Sequence, residues 1–401
     1  MAAFAYESQL DALAAALDLD PVELRVRNAI AEGDHMPTGQ RIDSPAPVAR
    51  LLRLVADRPL PPPAPAVPDQ RLLPGGLSGT TRGEGVRRGV GFGVGIKNVC
   101  FSEGFDDYAT ARVRVQAGGG TVSVAVHTAA AEVGQGLITV QQQIARTELG
   151  IDDVVVHPAD TTVGSAGSTS ASRQTYVTGG ALQAACAEVR AEVCRRAAQL
   201  MGSDLSAAAL LPGGVVAVGS DRIALADLLG DDAIERTVEW RHRPTTELDP
   251  STGQGFAHVQ YAFAAHRAVV DVDVDLGLVR VVELACAQDV GRAINPDAVI
   301  GQIHGGTAQG LGLAVMEEIQ VVDGIVRNPS FTDYLIPTIL DMPPMTVDIL
   351  ELGDPNAPYG LRGVGEAPTI SATPAVVAAI RAATGLALTR VPVRPEHITG
   401  T

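Results

Sequence analysis

Three short strings carry the residues best suited to chemistry. The first, Glu132-Val133-Gly134-Gln135-Gly136-Leu137, stops where an apolar stripe of Leu137, Val140, Ile144 and Leu149 begins. A helix starting there leaves its first backbone N–H groups without intrahelical partners, and such groups suit an anion. Gly134 and Gly136 permit close backbone approach, and Gln135 adds an amide donor and acceptor. A plain turn leading into a helix explains the same string. In the second, Gly164 to Arg173, seven of ten residues are glycine, serine or threonine. Such small residues permit close approach, their hydroxyls and N–H groups could surround a phosphate or a polar heterocycle, and Arg173 could pair with an anion. An exposed loop is the alternative. No Gly-Lys-Ser/Thr follows, so this is not a Walker A loop. The third is Gly360 to Pro368, with Glu366 set between Gly365 and Ala367-Pro368. A buried carboxyl there could serve as a base; a solvated glutamate is the ordinary alternative.

The elements that would position these strings follow from periodicity. Leu10, Leu13, Ala16 and Leu17 recur at helical spacing within 6–31, broken at Asp20-Pro21, where Pro21 suits the first turn of a second helix. Residues 59–84 form a proline-rich irregular connector. Strands are predicted at 88–96, 109–117 and 120–127, the last two around Gly118-Gly119. A helix over 135–149, a strand over Asp153–Val156, a polar segment over 161–180 and a helix from Ala181 to Leu200 complete this part. Residues 206–249 read as a less regular edge insertion. Beyond them, strands at 267–275 and 278–285 flank Leu276-Gly277, a glycine-rich helix covers 301–316, and strands fall near 317–327 and 345–352. A turn-rich stretch, Gly353–Pro368, precedes a helix over Pro374–Thr384. The expected class is α+β, in two units. The division is an N-terminal helical segment at 1–58, the connector at 59–84, a first unit at 85–205, the insertion at 206–249 and a second unit at 250–401.

Composition narrows the function classes. The chain has 401 residues, 46% of them hydrophobic, with 43 glycines and 26 prolines, which fits a compact turn-rich domain with a sizeable core. A formal net charge of −16 argues against nucleic acid and anionic membrane surfaces as partners. Cys100, Cys186, Cys194 and Cys286 show no CxxC pair, so neither an iron–sulfur nor a structural zinc site is expected, and the thiols read as buried or neutral. The first 20 residues lack the pattern of a signal peptide. No run of 18 uncharged apolar residues occurs, so no membrane span is expected and the cytoplasm is the default location.

Taken together, the strings resemble the molybdopterin-binding subunit of the xanthine dehydrogenase and aldehyde oxidase family, the bacterial xanthine dehydrogenase type most closely. The resemblance rests on Gly134-Gln135-Gly136-Leu137, Gly167–Arg173, Gly291-Arg292-Ala293-Ile294-Asn295-Pro296, Gly301-Gln302, Gln309-Gly310-Leu311-Gly312 and Gly363-Val364-Gly365-Glu366. It covers nearly the whole chain, 206–249 least. It implies a molybdenum–molybdopterin cofactor, in bacteria often the cytosine dinucleotide form, whose metal usually takes no protein side chain. Gln135 with Gly134 and Gly136 would face it near the metal. Ser170, Ala171, Ser172 and Arg173 would hold pterin or phosphate groups, and Gln302 would hydrogen-bond to the pterin. Glu366 falls on the catalytic base, and Asp289–Pro296 would serve as structural support. His304 departs from a glutamate common in relatives and is read as a packing variation.

By the same resemblance the chain is the C-terminal half of such a subunit. It starts just past an arginine-phenylalanine-glycine loop of the active site. The other half would come from a separate chain, or the reading frame is truncated. Partner subunits would carry 2Fe-2S clusters and FAD. The implied reaction is oxidative hydroxylation of a carbon centre in a small molecule. Glu366 would take a proton from the oxygen nucleophile, hydride would pass to the metal's sulfido group, and electrons would leave through the partners. Xanthine or hypoxanthine is the expected substrate. An aldehyde or another N-heterocycle is the alternative, and a noncatalytic fragment is the competing class.

Overall fold

The computed structural model describes residues 2–62, 72–75 and 83–400. Much of the connector at 59–84 therefore lies outside the described residues. In chain order, the N-terminal segment contains α1 (Ala2–Ala16), α2 (Pro21–Arg27) and α3 (Val48–Ala56). Next come β1 (Val86–Val99), β2 (Tyr108–Gly118), β3 (Thr121–Thr128), α4 (Leu137–Leu149), β4 (Val154–Val156) and α5 (Gln174–Leu200). Then follow β5 (Ala208–Leu211), β6 (Val215–Val218), β7 (Asp221–Ala224), α6 (Leu225–Leu229) and β8 (Ala233–Arg241). The remainder is β9 (Gln260–Asp273), β10 (Leu278–Asp289), α7 (Pro296–Val315), β11 (Val321–Val322), β12 (Ile325–Val326), β13 (Met345–Leu350), α8 (Ala367–Thr384) and α9 (Pro395–Thr399).

Two four-stranded sheets organise these elements, in the orders β1-β9-β10-β13 and β4-β3-β2-β8. In the first, β9 is buried along its whole length. Its Ala268, Val270 and Val272 meet α7 and α8 on one face, while Phe263 and Ala265 meet Leu51, Leu52 and Val55 of α3 on the other. A strand covered on both faces reads as a continuous apolar run. In the second sheet, Val113, Val115, Val124 and Val126 pack with Ile144 of α4 and Val177, Leu182 and Val189 of α5. The class is α+β. Among the described residues no helix is long and apolar enough to cross a membrane. All four cysteines are free and buried.

The N-terminal segment is fastened by charge as well as by apolar contact. Asp20 caps α2, its carboxylate accepting from the Val22 and Glu23 N–H groups at 2.9 Å each. Buried Arg25 holds Glu7 at 2.8 Å and Asp11 at 2.7 Å. Glu7 also accepts from the Val94 N–H at 3.1 Å, which ties α1 to β1.

Helix α8 lies almost backbone-to-backbone on β1. Gly89, Gly91, Gly93 and Gly95 share one strand face, since side chains alternate at period two. A Cβ on Gly89 or Gly91 would collide with the backbone of Ala379, and one on Gly93 with the Ser371 carbonyl. At Gly95 it would lie 3.1 Å from the Ala367 carbonyl. The helix can lie this close only because the strand has no side chains there. Gly91→Ala is expected to destabilise the fold by about 1–3 kcal/mol, the usual cost of overpacking. Gly118→Ala, whose Cβ would meet nothing within 4 Å, should stay within about 0.5 kcal/mol. Chemical denaturation of the two variants checks this, and equal midpoints would contradict the packing argument.

His266 stands between β9, α7 and α8, fully buried, with Ser371 Oγ at 2.8 Å from Nδ1 and Thr307 Oγ1 at 3.0 Å from Nε2. Burial pushes it down to about 3 from an ordinary 6.5. The native state thus keeps this ring neutral while the unfolded chain binds a proton below pH 6.5. Its contribution is complete above that pH and is lost as pH falls towards 3, at up to about 1.4 kcal/mol per pH unit. Stability measured from pH 7 to pH 4 should fall less steeply in His266→Gln than in the wild type. Parallel pH profiles would exclude the buried neutral ring as a source of acid sensitivity.

Several elements differ from the sequence expectation, for identifiable reasons. The β2–β3 turn is Gly119-Gly120 rather than Gly118-Gly119, because Gly118 pairs with Thr121 and both turn glycines have positive φ, 61° and 80°. Such hairpin turns require positive φ at both central positions. Helix α5 starts at Gln174 rather than Ala181, α7 at Pro296 rather than 301, and α8 at Ala367 rather than Pro374. Glycines serve close helix packing, among them Gly180, which falls in the segment read as polar. A Cβ on Gly180 would lie 2.8 Å from the Trp240 ring, one on Gly306 2.7 Å from the Gly365 carbonyl, and one on Gly310 2.6 Å from Ala372 Cβ. Pro374 sits inside α8, its ring packed over Gly93. Residues 206–249 hold a three-stranded sheet, β5-β6-β7, and strand β8, which completes the second large sheet beside β2.

Candidate cofactor cavity and active site

The Gly164–Ser172 loop is shaped from behind by Arg173. This side chain has no solvent exposure. Its guanidinium pairs with Asp107, donates to the Ala166 carbonyl, and reaches the carbonyls of Ser168 at 3.1 Å and Tyr108 at 3.3 Å. Burial raises Asp107, but the His242 ring 3.5 Å away and the hydrogen bonds from Arg173 and the Phe101 N–H outweigh it and bring the carboxyl down to about 2. Arg173 therefore organises the loop rather than presenting its charge to a ligand, which departs from the anion-pairing expectation. The loop ends in Ala171 and Ser172 at φ 52° and 51°, a left-handed conformation that non-glycine residues seldom adopt. Strained backbone of this kind clusters at functional sites.

That strained turn meets the third string directly. Gly363 allows the approach, since a Cβ there would lie 2.9 Å from Ser172 Cβ. Ser172 Oγ accepts from the Glu366 N–H at 3.1 Å, and the Ala171 N–H donates to Glu366 Oε1 at 3.2 Å. Glu366 Oε2 pairs with Lys97 Nζ at 3.0 Å. The Glu366 side chain is 44% exposed, so it is an oriented, half-open carboxylate at the N-terminus of α8 rather than a buried one. A cation, an N–H group and the helix end all face it.

The first string takes an unexpected form. Glu132 folds over the start of α4, its Oε1 accepting from Gly134 N–H at 2.8 Å and Gly136 N–H at 3.1 Å, its Oε2 from Ile138 N–H at 3.0 Å. Burial raises this carboxyl, yet the N–H groups of Ile138, Gly136 and Gly134 hold it below the usual range. The anion at this helix start is the protein's own. Gln135 closes the same turn, accepting from Val133 N–H at 2.6 Å and donating to the Ala131 carbonyl at 2.9 Å.

A cavity of about 420 Å³ gathers these pieces. Gly134, Gln135, Ser170, Ser172, Arg173, Gln302 and Glu366 line it, whereas Gly136 and Ala171 support its walls from one residue away. Helix α7 delivers Gln302, after Asn295 caps that helix by accepting from Ala298 N–H at 3.0 Å. Among the described residues the Gln302 amide has no hydrogen-bond partner in the protein, although it faces the cavity. A half-buried amide facing a cavity beside glycine backbones and hydroxyls suits a polar heterocyclic ligand. His304, on the same helix, is half-buried and not on the cavity wall. Asp289 accepts from Gly291 N–H at 3.2 Å and Leu352 N–H at 3.1 Å, which anchors the 289–296 segment, and Val290, Arg292, Ala293, Ile294 and Asn295 of that segment also line the cavity, more than the structural support expected of it.

Sequence reasoning missed two residues here. Glu132 preceded the glycines in plain view, but nothing in their order shows that its carboxylate folds back. Lys97 had a countable signal: it is the one lysine among 30 lysines and arginines.

The profile described as Molybdopterin cofactor-binding domain matches residues 78–343. That stretch includes Gly134 to Arg173 and Gln302, and Glu366 lies beyond it. The xanthine dehydrogenase molybdenum-binding subunit of Escherichia coli O157:H7 is 31% identical over 98% of this chain and 51% of its own length. The aldehyde oxidoreductase of Megalodesulfovibrio gigas is 30% identical over 98% of this chain and 40% of its own length. With these values so close, no single relative stands out, and the bacterial xanthine dehydrogenase type is not set apart. The crystal structure of quinoline 2-oxidoreductase from Pseudomonas putida 86 superposes with a TM-score of 0.78 and 28% identity, over 99% of this chain and 51% of that one. The chain thus spans about half the length of the curated relatives it matches. It belongs to the molybdopterin cofactor-binding domain family of the xanthine oxidase and CO dehydrogenase superfamily.

Proposed function

We propose that this chain is the C-terminal half of the catalytic subunit of a molybdenum hydroxylase, acting on a purine such as xanthine or hypoxanthine. The observation that carries the reading is the convergence of the Gln302 amide, the Ser170 loop and the Glu366 carboxylate on one cavity. The residues present fit a molybdopterin group. Gln302 offers an unpaired amide, Ser170 and Ser172 offer hydroxyls, and Gly134 and Gly365 offer backbone without side chains. Gln135 and Gly136 shape the turn at the cavity rim, and Ala171 and Arg173 fix the facing loop. When bound, whether as molybdopterin itself or as its cytosine dinucleotide form, that group supplies two-electron redox chemistry.

The chain's own residues supply position and a proton acceptor. Glu366 Oε1 takes the proton released when an oxygen nucleophile forms. Ala171 and Lys97 keep the carboxylate oriented for this. The electrons leave through partner subunits holding 2Fe-2S clusters and FAD. A second reading, an aldehyde or a different N-heterocycle as substrate, is supported by the near-equal identity to the aldehyde oxidoreductase.

The partner requirement is supported by surface chemistry. Phe331, Ile339 and Leu340 are 89%, 87% and 92% exposed, and Ile319, Val321, Ile325 and Leu335 in the same stretch are exposed as well. Apolar groups this concentrated mark a surface that another polypeptide covers. The test is copurification from the native host, with metal analysis and purine-dependent dye reduction. A chain carrying the other molybdopterin-binding half should copurify, together with an iron–sulfur subunit, a flavin subunit and molybdenum. An active, molybdenum-loaded lone chain would overturn the partner requirement, and a loaded complex inert to purines but active on aldehydes would favour the second reading.

A further inference from the structure

We propose that Lys97 is a positioning residue that holds one oxygen of Glu366 and leaves the other to act. This rests on the reading of Glu366 as the base. Lys97 is near the end of β1, with its side chain 18% exposed. Its Nζ lies 3.0 Å from Glu366 Oε2 and donates to the Asn98 carbonyl at 2.5 Å. It is not on the cavity wall, so it reaches the chemistry only through the carboxylate.

The choice of lysine carries the argument. Every other member of the 30 basic residues is arginine. Arginine in this protein can grip both oxygens of one carboxylate. Arg88 holds Asp271 at 2.8 and 2.9 Å, and Arg241 holds Asp106 at 2.6 and 3.0 Å. A guanidinium is a planar fork matched to that geometry, whereas an ammonium is a point charge on a flexible stem. With lysine at 97, Oε1 keeps only the 3.2 Å bond from the Ala171 N–H. An arginine there has the fork to engage Oε1 as well. The single exception to arginine usage thus falls where a two-point grip would occupy the oxygen that must accept a proton.

The lone side-chain amine gives a readout independent of turnover. In the assembled enzyme, an amine-reactive ester followed by mass spectrometry of this chain's peptides reports on Lys97. Modification should be about fivefold faster in Glu366→Gln than in the wild type, as expected on releasing an ion pair of this exposure. In kinetics, Lys97→Arg and Lys97→Met should each lower kcat by about tenfold to a hundredfold through misplacement of the base. KM and molybdenum content should be unchanged. Equal modification rates, or wild-type kcat in Lys97→Arg, would overturn the proposal. If Glu366→Gln loses turnover while the modification rate is unchanged, the Lys97 proposal alone fails. If Glu366→Gln retains turnover, it is the base reading that fails.

Discussion

Glu366→Gln in the assembled enzyme is expected to lower turnover by about 10²–10⁴-fold, the usual worth of a positioned general base, with molybdenum content unchanged. Glutamine keeps the length and planarity of the side chain, so the helix start and the Ser172 Oγ bond to the residue 366 N–H can persist. The Ala171 N–H can still donate to the amide oxygen. What is lost is the acceptor for a proton and the negative charge opposite Lys97. The separation between chemistry and cofactor loading decides the matter. Near-normal turnover at full loading would remove Glu366 from the mechanism, whereas loss of both together would make it a structural residue of the cavity.

Arg362→Ala is expected to be the most damaging single change to stability, at about 3–5 kcal/mol. Arg362 and Asp289 have no exposed side-chain surface and pair at 2.9 Å. The guanidinium also donates to the Tyr261 carbonyl at 2.6 Å and the Pro45 carbonyl at 2.7 Å, and lies 5.5 Å from the Phe263 ring centre. One side chain thus joins β9, the end of β10, the N-terminal segment and the string that ends in Glu366. Removing it strands a buried carboxylate, which costs far more than the intact pair contributes. Domains of this kind are stable by only about 5–15 kcal/mol, so much of the margin disappears. Arg362→Met with Asp289→Leu removes both charges and should recover most of the loss. A denaturation midpoint for Arg362→Ala close to the wild type would refute the argument.

Much of this architecture could be read from residue order. The apolar alternation of β2 and β3 and the stripe of α4 have local causes, and so does the cap at Asp20. The three strings that converge on the cavity were visible as strings. What could not be read is how a residue spends its donors in three dimensions. Arg173 looked available to an anion, yet loop carbonyls and Asp107 consume its guanidinium. Gly134 and Gly136 looked open, yet Glu132 covers their N–H groups. Glycine misled in the other direction at Gly179 and Gly180, which read as part of a polar segment but lie inside α5. Helix-breaking propensity is a local property, and at these positions close packing between elements overrode it.

The strand beneath α8 has a consequence for how this gene can change. Every single-base missense change of a glycine codon adds atoms, and none removes any. At Gly89, Gly91 and Gly93 the added atoms would meet helix backbone, which cannot rotate aside as a side chain can. In a saturation library scored for abundance, β1 should therefore show an alternating record, with three barred sites separated by the more tolerant, half-buried Val90 and Phe92. The opposite face, where Val94 is buried with α3 and Phe92 and Ile96 pack against it, can exchange one apolar side chain for another, but the glycine face has no smaller residue to move to. Compensation there would have to come from the helix, whose facing Ala375 and Ala379 have little volume left to give.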